Sequence, residues 1–412
     1  MDERLNESER FALSQTSSSG LAGGSVEEVR DGASSLAPID PALSRRMTKR
    51  GRRTTKGGRR WAQRARKART LRSPAELAAT GLARPETLPA LEAVAARYAV
   101  AITPDMAELI DPADPADPIA RQFVPHAAEL ETRPEELADP IGDGVHEVTP
   151  GLVHRYPDRV LLKFTGLCAV YCRFCFRREA VGQEGAGVLS ESDLAAALAY
   201  IGAHREIWEV IVSGGDPLVA SPRRIASLMA RLASISHVKI VRFHTRVPVV
   251  APERISDDLI GALKAPGATT WVAIHANHER ELTPSARAAI ARLANAGIPL
   301  VSQTVLLAGI NDDPAILGGL MRAFVENRVK PYYLHHGDLA PGTGRFRTSI
   351  GQGQAVMHEL RRNYSGLCQP TYVLDIPGGH GKVPVGPVYL DRDTVTDPSG
   401  LPHRYGSTGP RG

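Results

Sequence analysis

Aromatic residues make up only 5% of this 412-residue chain, and Cys appears four times. So few cysteines cannot staple a chain of this length, which excludes a disulfide scaffold. No apolar run approaches the ~20 residues that span a bilayer. The N-terminus lacks a basic stretch followed by an apolar one, so no secretory signal is expected. A cytoplasmic protein without membrane contact is the expectation. Acidic residues are missing from one place above all: every charged residue from Arg45 to Arg72 is Lys or Arg.

That local absence explains the formal net charge of +5. From residue 73 onward acids outnumber bases, so the basicity belongs to one segment. Residues 1–72 are of low complexity, with Ser17–Ser18–Ser19–Gly20 and Gly23–Gly24 ahead of the basic run. Such composition reads as a disordered extension. A nucleic-acid-binding arm over 45–72 is the competing reading. A start at Met47 would remove the Ser/Gly-rich leader.

What remains is ordinary globular composition, 42% hydrophobic and 23% charged. Residues 73–150 are rich in Ala and Leu and predict a helical N-terminal region, broken at Asp111–Pro112–Ala113–Asp114–Pro115. From about 160 strands and helices alternate. Strands are predicted at Val160–Thr165, Glu209–Ser213, Lys239–His244, Thr270–His275, Leu300–Leu306 and Lys330–His335. Between them helices carry start and stop signals: Ser190 with Asp193, Thr283–Pro284, and Gly297 after Asn295. Six strand–helix units predict an α/β fold with a parallel sheet, in the form of a partial (β/α)6 barrel over 151–345. Residues 346–412 then form a C-terminal segment.

Active groups of such folds gather at the C-terminal strand ends. Cys168, Asp216, Arg246, His275 and Asp338 follow five of these strands, and Gln303 sits within another. The loop after the first strand reads Thr165–Gly–Leu–Cys168–Ala–Val–Tyr–Cys172–Arg–Phe–Cys175–Phe–Arg177–Arg178. Three thiolates so close can hold a 4Fe–4S cluster. Three protein ligands leave one iron open, and the amino and carboxylate groups of S-adenosylmethionine would chelate it to yield an adenosyl radical. A zinc site completed by a distant ligand and buried free thiols are the competing readings. Gly214–Gly215–Asp216 after the second strand favours the radical reading. Cys368 has no partner nearby and reads as a spectator.

Longer strings carry a closer likeness. His154–Arg–Tyr–Pro–Asp–Arg159, Cys168 to Arg178, Ser213–Gly–Gly–Asp216, Pro331–Tyr–Tyr and Asp375–Ile–Pro–Gly–Gly–His380–Gly–Lys382 resemble the lysine 2,3-aminomutase family over roughly residues 75–390. The resemblance implies an isomerase on a radical S-adenosylmethionine partial barrel, with pyridoxal 5′-phosphate (PLP) as further cofactor, moving the α-amino group of L-lysine to the β carbon. It also implies an external one-electron reductant and a homo-oligomer. By the resemblance, Lys382 is the catalytic lysine that binds PLP, Arg159 anchors its phosphate and Tyr156 flanks its ring. Gly214, Gly215, Asp216, His275 and Gln303 bind S-adenosylmethionine. Arg177 pairs with the substrate carboxylate, and Asp338 and Asp375 hold its ε-ammonium. The Lys382 loop is not a nucleotide-binding P-loop, which needs Gly at Ile376 and Ser or Thr at Val383.

The chain also departs from the family pattern. His380 stands where the family has Gly, and His335 where free-lysine enzymes carry Tyr. Tyr332–Tyr333–Leu334–His335 is more like the branch that modifies lysine for elongation factor P. No C-terminal cysteines match the structural zinc site of some relatives, so no zinc is expected. An aminomutase acting on glutamate is an alternative, set against by two aspartates that suit a basic side chain. A nucleic-acid-associated protein with a structural cluster is the other.

Overall fold

The computed structural model describes residues 69–183 and 187–405. The predicted extension over 1–72 and its basic arm lie outside the described residues, except for residues 69–72. Leu71 there forms a bridge with Ile102.

The N-terminal region folds as short helices: α1 (Pro74–Ala79), α2 (Leu88–Arg97), α3 (Pro104–Ala107) and α4 (Pro118–Phe123). Each has Pro in its first turn, where the missing N–H costs nothing. The helices end early because Gly, Pro and Asp interrupt the Ala/Leu pattern. Their apolar faces (Leu77, Ile102, Met106, Phe123) join the same core as the strands that follow.

One ten-stranded sheet dominates the rest, with every strand beside its sequence neighbour. It starts with β1 (Glu147–Thr149) and β2 (Leu152–Tyr156), which pair antiparallel, and β2 pairs antiparallel with β3 (Arg159–Thr165). From β3 the sheet is parallel through β4 (Glu209–Gly214), β5 (Ile240–Thr245), β6 (Thr269–His275), β7 (Leu300–Val305), β8 (Lys330–His335) and β9 (Thr371–Ile376). β10 (Gly381–Pro384) closes an antiparallel hairpin with β9. A small separate sheet of β11 (Leu390–Asp391), β12 (Thr394–Thr396) and β13 (Pro402–Arg404) follows.

Strands β3 to β8 are the six predicted ones, within a residue at each end. The predicted connecting helices stand between them as α5 (Glu191–Ala203), α6 (Pro222–Ala233), α8 (Asp257–Ala262), α9 (Pro284–Asn295) and α10 (Pro314–Glu326), and the structure adds one short turn of helix, α7 (Val247–Val250), without a side-chain cap. Ser190 accepts the Asp193 N–H at 3.1 Å, and Thr283 accepts the Ala286 N–H at 3.2 Å. The difference lies at the C-terminal end. The first part of the C-terminal segment predicted over 346–412 joins the main sheet, because α11 (Ile350–Asn363) and β9 continue the strand–helix alternation. Ser349 and Gln352 form a capping box for α11. The sheet therefore extends one parallel strand beyond the six, and the hairpin β9–β10 carries Asp375 and Lys382 at its edge.

Candidate active site

The parallel strands surround one cavity of about 650 Å³. Cys168, Cys172, Cys175, Arg177, Gly214, Gly215, Asp216, His275 and Gln303 all line it. So do Tyr156, Arg159, Asp338, Asp375 and Lys382. Residues more than two hundred positions apart in sequence meet there because a parallel sheet puts every strand end on one side.

The cysteine loop forms one wall. Tight turns shape it: the Cys175 N–H donates to the Cys172 carbonyl at 3.1 Å, and the Arg178 N–H to the Cys175 carbonyl at 3.3 Å. Phe174 packs with Leu307, Ile310 and Phe346 and meets the His275 ring edge-on at 5.7 Å. Behind the loop lies Glu129, with its side chain fully buried. Arg173 donates to its Oε2 from Nε at 3.0 Å and from Nη2 at 2.6 Å, and Arg178 donates to the same oxygen. Burial opposes ionisation of Glu129, but the Arg173 and Arg178 guanidiniums hold its carboxyl below the usual range. Arg246 approaches from the barrel interior. It donates to the Cys172 Sγ at 2.8 Å, to Gln122 at 2.6 Å and to Glu281 at 2.6 Å.

This donor set suits an iron–sulfur cluster. Burial pushes the Cys168 thiol well above its ordinary value and the Cys175 thiol up to about 11. Bare thiolates are thus disfavoured in the wall, and a cluster that shares their charge removes the penalty. Among the described residues no three His, Cys, Asp or Glu side chains are gathered tightly enough for a single metal ion.

Beside the cysteines the chain makes room for a ligand. A Cβ on Gly215 would lie 2.3 Å from the Leu167 carbonyl oxygen, so only Gly lets the end of β4 approach the cysteine loop. Asp216 lines the cavity and is also held within its loop. Its carboxylate accepts from the Leu218 N–H at 3.0 Å, the Thr245 hydroxyl at 2.7 Å and the Arg246 N–H at 2.7 Å. These bonds order the end of β4 against β5. His275 bonds Asn277 through Nε2 at 3.1 Å, and burial keeps it neutral.

Lys382 stands on the opposite wall. Its backbone N–H donates to the Tyr156 hydroxyl at 2.7 Å. Its Nζ donates to Asp375 Oδ2 and lies 3.2 Å from His335 Nδ1. Burial and the Lys382 charge lower His335 to about 4, so it is a neutral acceptor. Burial would raise Asp375, but the neighbouring His335 and the Lys382 ammonium hold it well below the carboxylate range. Asp338 differs. No described side chain hydrogen-bonds its carboxylate, and burial together with the Asp375 charge pushes it up to about 7. A carboxylate so placed awaits a cation.

The Lys382 loop explains the His380 departure. Gly378, Gly379 and Gly381 have φ of 83°, 86° and 97°, the region that favours glycine. His380 is exposed and is not among the residues of positive φ, so the loop tolerates a side chain there. His335, the other departure, points at Lys382. Arg159 lies flat over the Tyr156 ring at 3.8 Å and pairs with Asp158 at 2.6 Å. A PLP-sized group fits this donor set: an amine for its aldehyde, an Arg fork for its phosphate and an aromatic ring beside them.

Sequence reasoning missed several residues of the cavity. Asp143 and Arg155 pair with each other at 3.3 Å. Arg242 pairs with Glu209 at 2.9 Å, and Gln303 reaches His244 at 3.4 Å. Their only advance signal was strand alternation, which points Arg242 and His244 to the same face.

Comparison with known proteins agrees with this geometry. Residues 162–316 match the radical SAM superfamily. The chain is 42% identical over 291 residues to L-lysine 2,3-aminomutase of Clostridium subterminale, covering 71% of this chain and 70% of that protein. It is also 42% identical over 291 residues to L-lysine 2,3-aminomutase of Acetoanaerobium sticklandii, with the same coverage. Glutamate 2,3-aminomutase of Clostridioides difficile is 38% identical over 300 residues, covering 73% of this chain and 70% of that protein. With the three cysteines on one wall and the lysine on the other, such identity over most of both chains places this protein in the lysine 2,3-aminomutase family of radical S-adenosylmethionine enzymes.

Proposed function

We propose that this protein isomerises L-lysine by moving its α-amino group to the β carbon. The observation that carries the reading is the convergence of three cysteines, one lysine, one free arginine edge and two aspartates on a single cavity. The family uses a 4Fe–4S cluster, S-adenosylmethionine and PLP. Bound here, the first two supply a hydrogen-abstracting radical and PLP supplies the π system through which nitrogen migrates.

The chain's own residues bind, orient and exclude. Cys168, Cys172 and Cys175 would hold the cluster, with Gly214, Gly215, His275 and Gln303 around S-adenosylmethionine. Lys382 would hold PLP, and the Arg159 fork its phosphate. Arg177 binds the substrate α-carboxylate. Asp338 and Asp375 bind the ε-ammonium, which fixes a long flexible side chain so that one β hydrogen faces the cysteine wall. Lys382 must lose a proton before its nitrogen can act as a nucleophile, and the neutral His335 Nδ1 beside it helps to orient that nitrogen. The enclosing strands keep water from the reacting carbon.

A glutamate side chain suits this wall poorly, since Asp338 and Asp375 would repel its carboxylate. The reading places the reaction in the cytoplasm, with an external one-electron donor and a homo-oligomer. No helix of the described residues is long and apolar enough to cross a membrane. The test is an anaerobic assay of protein reconstituted with cluster, PLP and S-adenosylmethionine. β-Lysine should form from lysine. Turnover of glutamate without β-lysine would overturn the substrate.

A further inference from the structure

Asp143 has no part in the reaction as described, yet it touches the group that binds the substrate carboxylate. It sits in the turn before β1. Its N–H donates to Asp139 Oδ1 at 2.9 Å, and the Gly144 N–H donates to Asp139 Oδ2 at 2.7 Å, so its backbone is tied down. Its Oδ2 accepts from Arg177 Nε at 3.0 Å and from Arg177 Nη2 at 2.7 Å. Its Oδ1 accepts from Arg155 Nη2 at 3.3 Å. Arg155 in turn donates to the Ile141 carbonyl at 2.6 Å, and its Nη1 lies 3.9 Å from Asp375 Oδ1. Asp375 takes the Lys382 ammonium on its other oxygen. Charges therefore alternate from Arg177 through Asp143, Arg155 and Asp375 to Lys382.

A guanidinium has five N–H donors in a rigid plane. Asp143 takes the Nε edge of Arg177, and the Phe176 ring lies against its face at 4.4 Å. Among the described residues nothing accepts from Arg177 Nη1, and Arg177 lines the cavity. The free terminal edge is the one a ligand can reach. One carboxylate shared by two guanidiniums leaves a net positive charge, which matches one substrate carboxylate.

We propose that Asp143 is a positioning residue. It turns the terminal edge of Arg177 towards the α-carboxylate, and through Arg155 it sets the separation between that anchor and the ammonium anchor at Asp375. Selection for an amino acid with a free carboxylate follows from the first of these. The inference deepens the proposed function and rests on its reading of Arg177 and Asp375.

The experiment uses full-length protein loaded with cluster and PLP, without S-adenosylmethionine. The PLP absorbance is titrated with L-lysine and with L-lysinamide, whose carboxylate is blocked. Asp143→Asn should weaken lysine binding about tenfold or more and leave lysinamide within about twofold. The variant raises the positive charge near Arg177, so electrostatics alone predicts tighter lysine binding, the opposite sign. Tighter lysine binding, unchanged lysine binding, or equal loss of both ligands would each overturn the positioning role. If the Asn variant does not fold, Asp143→Glu carries the same comparison: a smaller, lysine-selective loss supports the role and an equal loss of both ligands overturns it. A wild-type protein that gives no response to lysine overturns the proposed function itself, whereas a normal wild-type response isolates the failure to Asp143.

Discussion

The two walls of the cavity are held in opposite ways. Behind the cysteine loop the charges are sealed: the Glu129 and Glu281 side chains are 0% exposed and pair with Arg173, Arg178 and Arg246. Facing the cavity the paired groups are more open, with Asp375, Arg155, Asp143 and Arg177 between 10% and 14% exposed. A sealed ion pair keeps its partner for good, because breaking it strands a charge in low dielectric. An ion pair facing a cavity can meet a ligand in two ways: by offering a free edge, as Arg177 can beside Asp143, or by giving up its partner, as Asp375 can give up Lys382. On the proposed function the difference matches the tasks: a cluster needs a fixed cradle, whereas groups that meet a cofactor and then a substrate need an edge or a partner to spare.

The sharpest break of that contrast is Lys382→Ala. It should abolish the covalent PLP absorbance and all turnover while lowering the melting temperature less than the loss of a sealed pair does, since the Asp375 carboxylate it leaves unpaired still faces the cavity. A band that survives would put the cofactor lysine elsewhere. Glu129→Gln should do the reverse. Leaving Arg173 and Arg178 unpaired is expected to cost about 3–5 kcal/mol, read by denaturant unfolding, with loss of iron on purification. A stable variant that keeps its cluster would show that the cysteine wall does not depend on its sealed charges.

Asp338→Asn tests the exchangeable wall more finely. Asp338 is raised to about 7, so below that pH the ligand-free protein carries it protonated. Lysine KM should therefore fall as pH rises through about 7, and the variant should flatten that profile while raising KM about tenfold. A carboxylate with a raised folded value loses stability as pH climbs from the ordinary carboxylate range to about 7. The variant should consequently melt higher than wild type at pH 8. A KM profile that stays steep in the variant would assign the titration to another group. The smallest effect belongs to His380→Gly. With an exposed side chain at a φ that needs no glycine, it should change stability by less than about 1 kcal/mol and leave KM unchanged.

Legibility in the sequence follows the range of the interaction. Strands β3 to β8 and their helices announce themselves locally, through apolar runs, the caps at Ser190 and Thr283, and the stop at Gly297. The cysteine spacing is local too, and the longer strings around it carried the family likeness. Strand β9 was not legible because Pro370 and the Gly378–Gly379 turn bracket a short run that reads as loop. Glu129 and Arg178 are 49 residues apart and Asp143 and Arg177 34 apart, and no local pattern foretells such pairs. The bonds of Asp216 were hidden for a related reason: the string of residues identifies a loop but not which way its carboxylate turns.

Because each strand of the sheet lies beside its sequence neighbour, the order of synthesis is also an order of assembly. A nascent chain that has reached residue 335 already holds the three cysteines and the strands that surround them. Asp375 and Lys382 have yet to leave the ribosome. The half of the site that makes radicals is thus written first, and the half that gives them something to attack arrives on the last two strands of that sheet. The lining of the cavity is complete only when the final hairpin is in place.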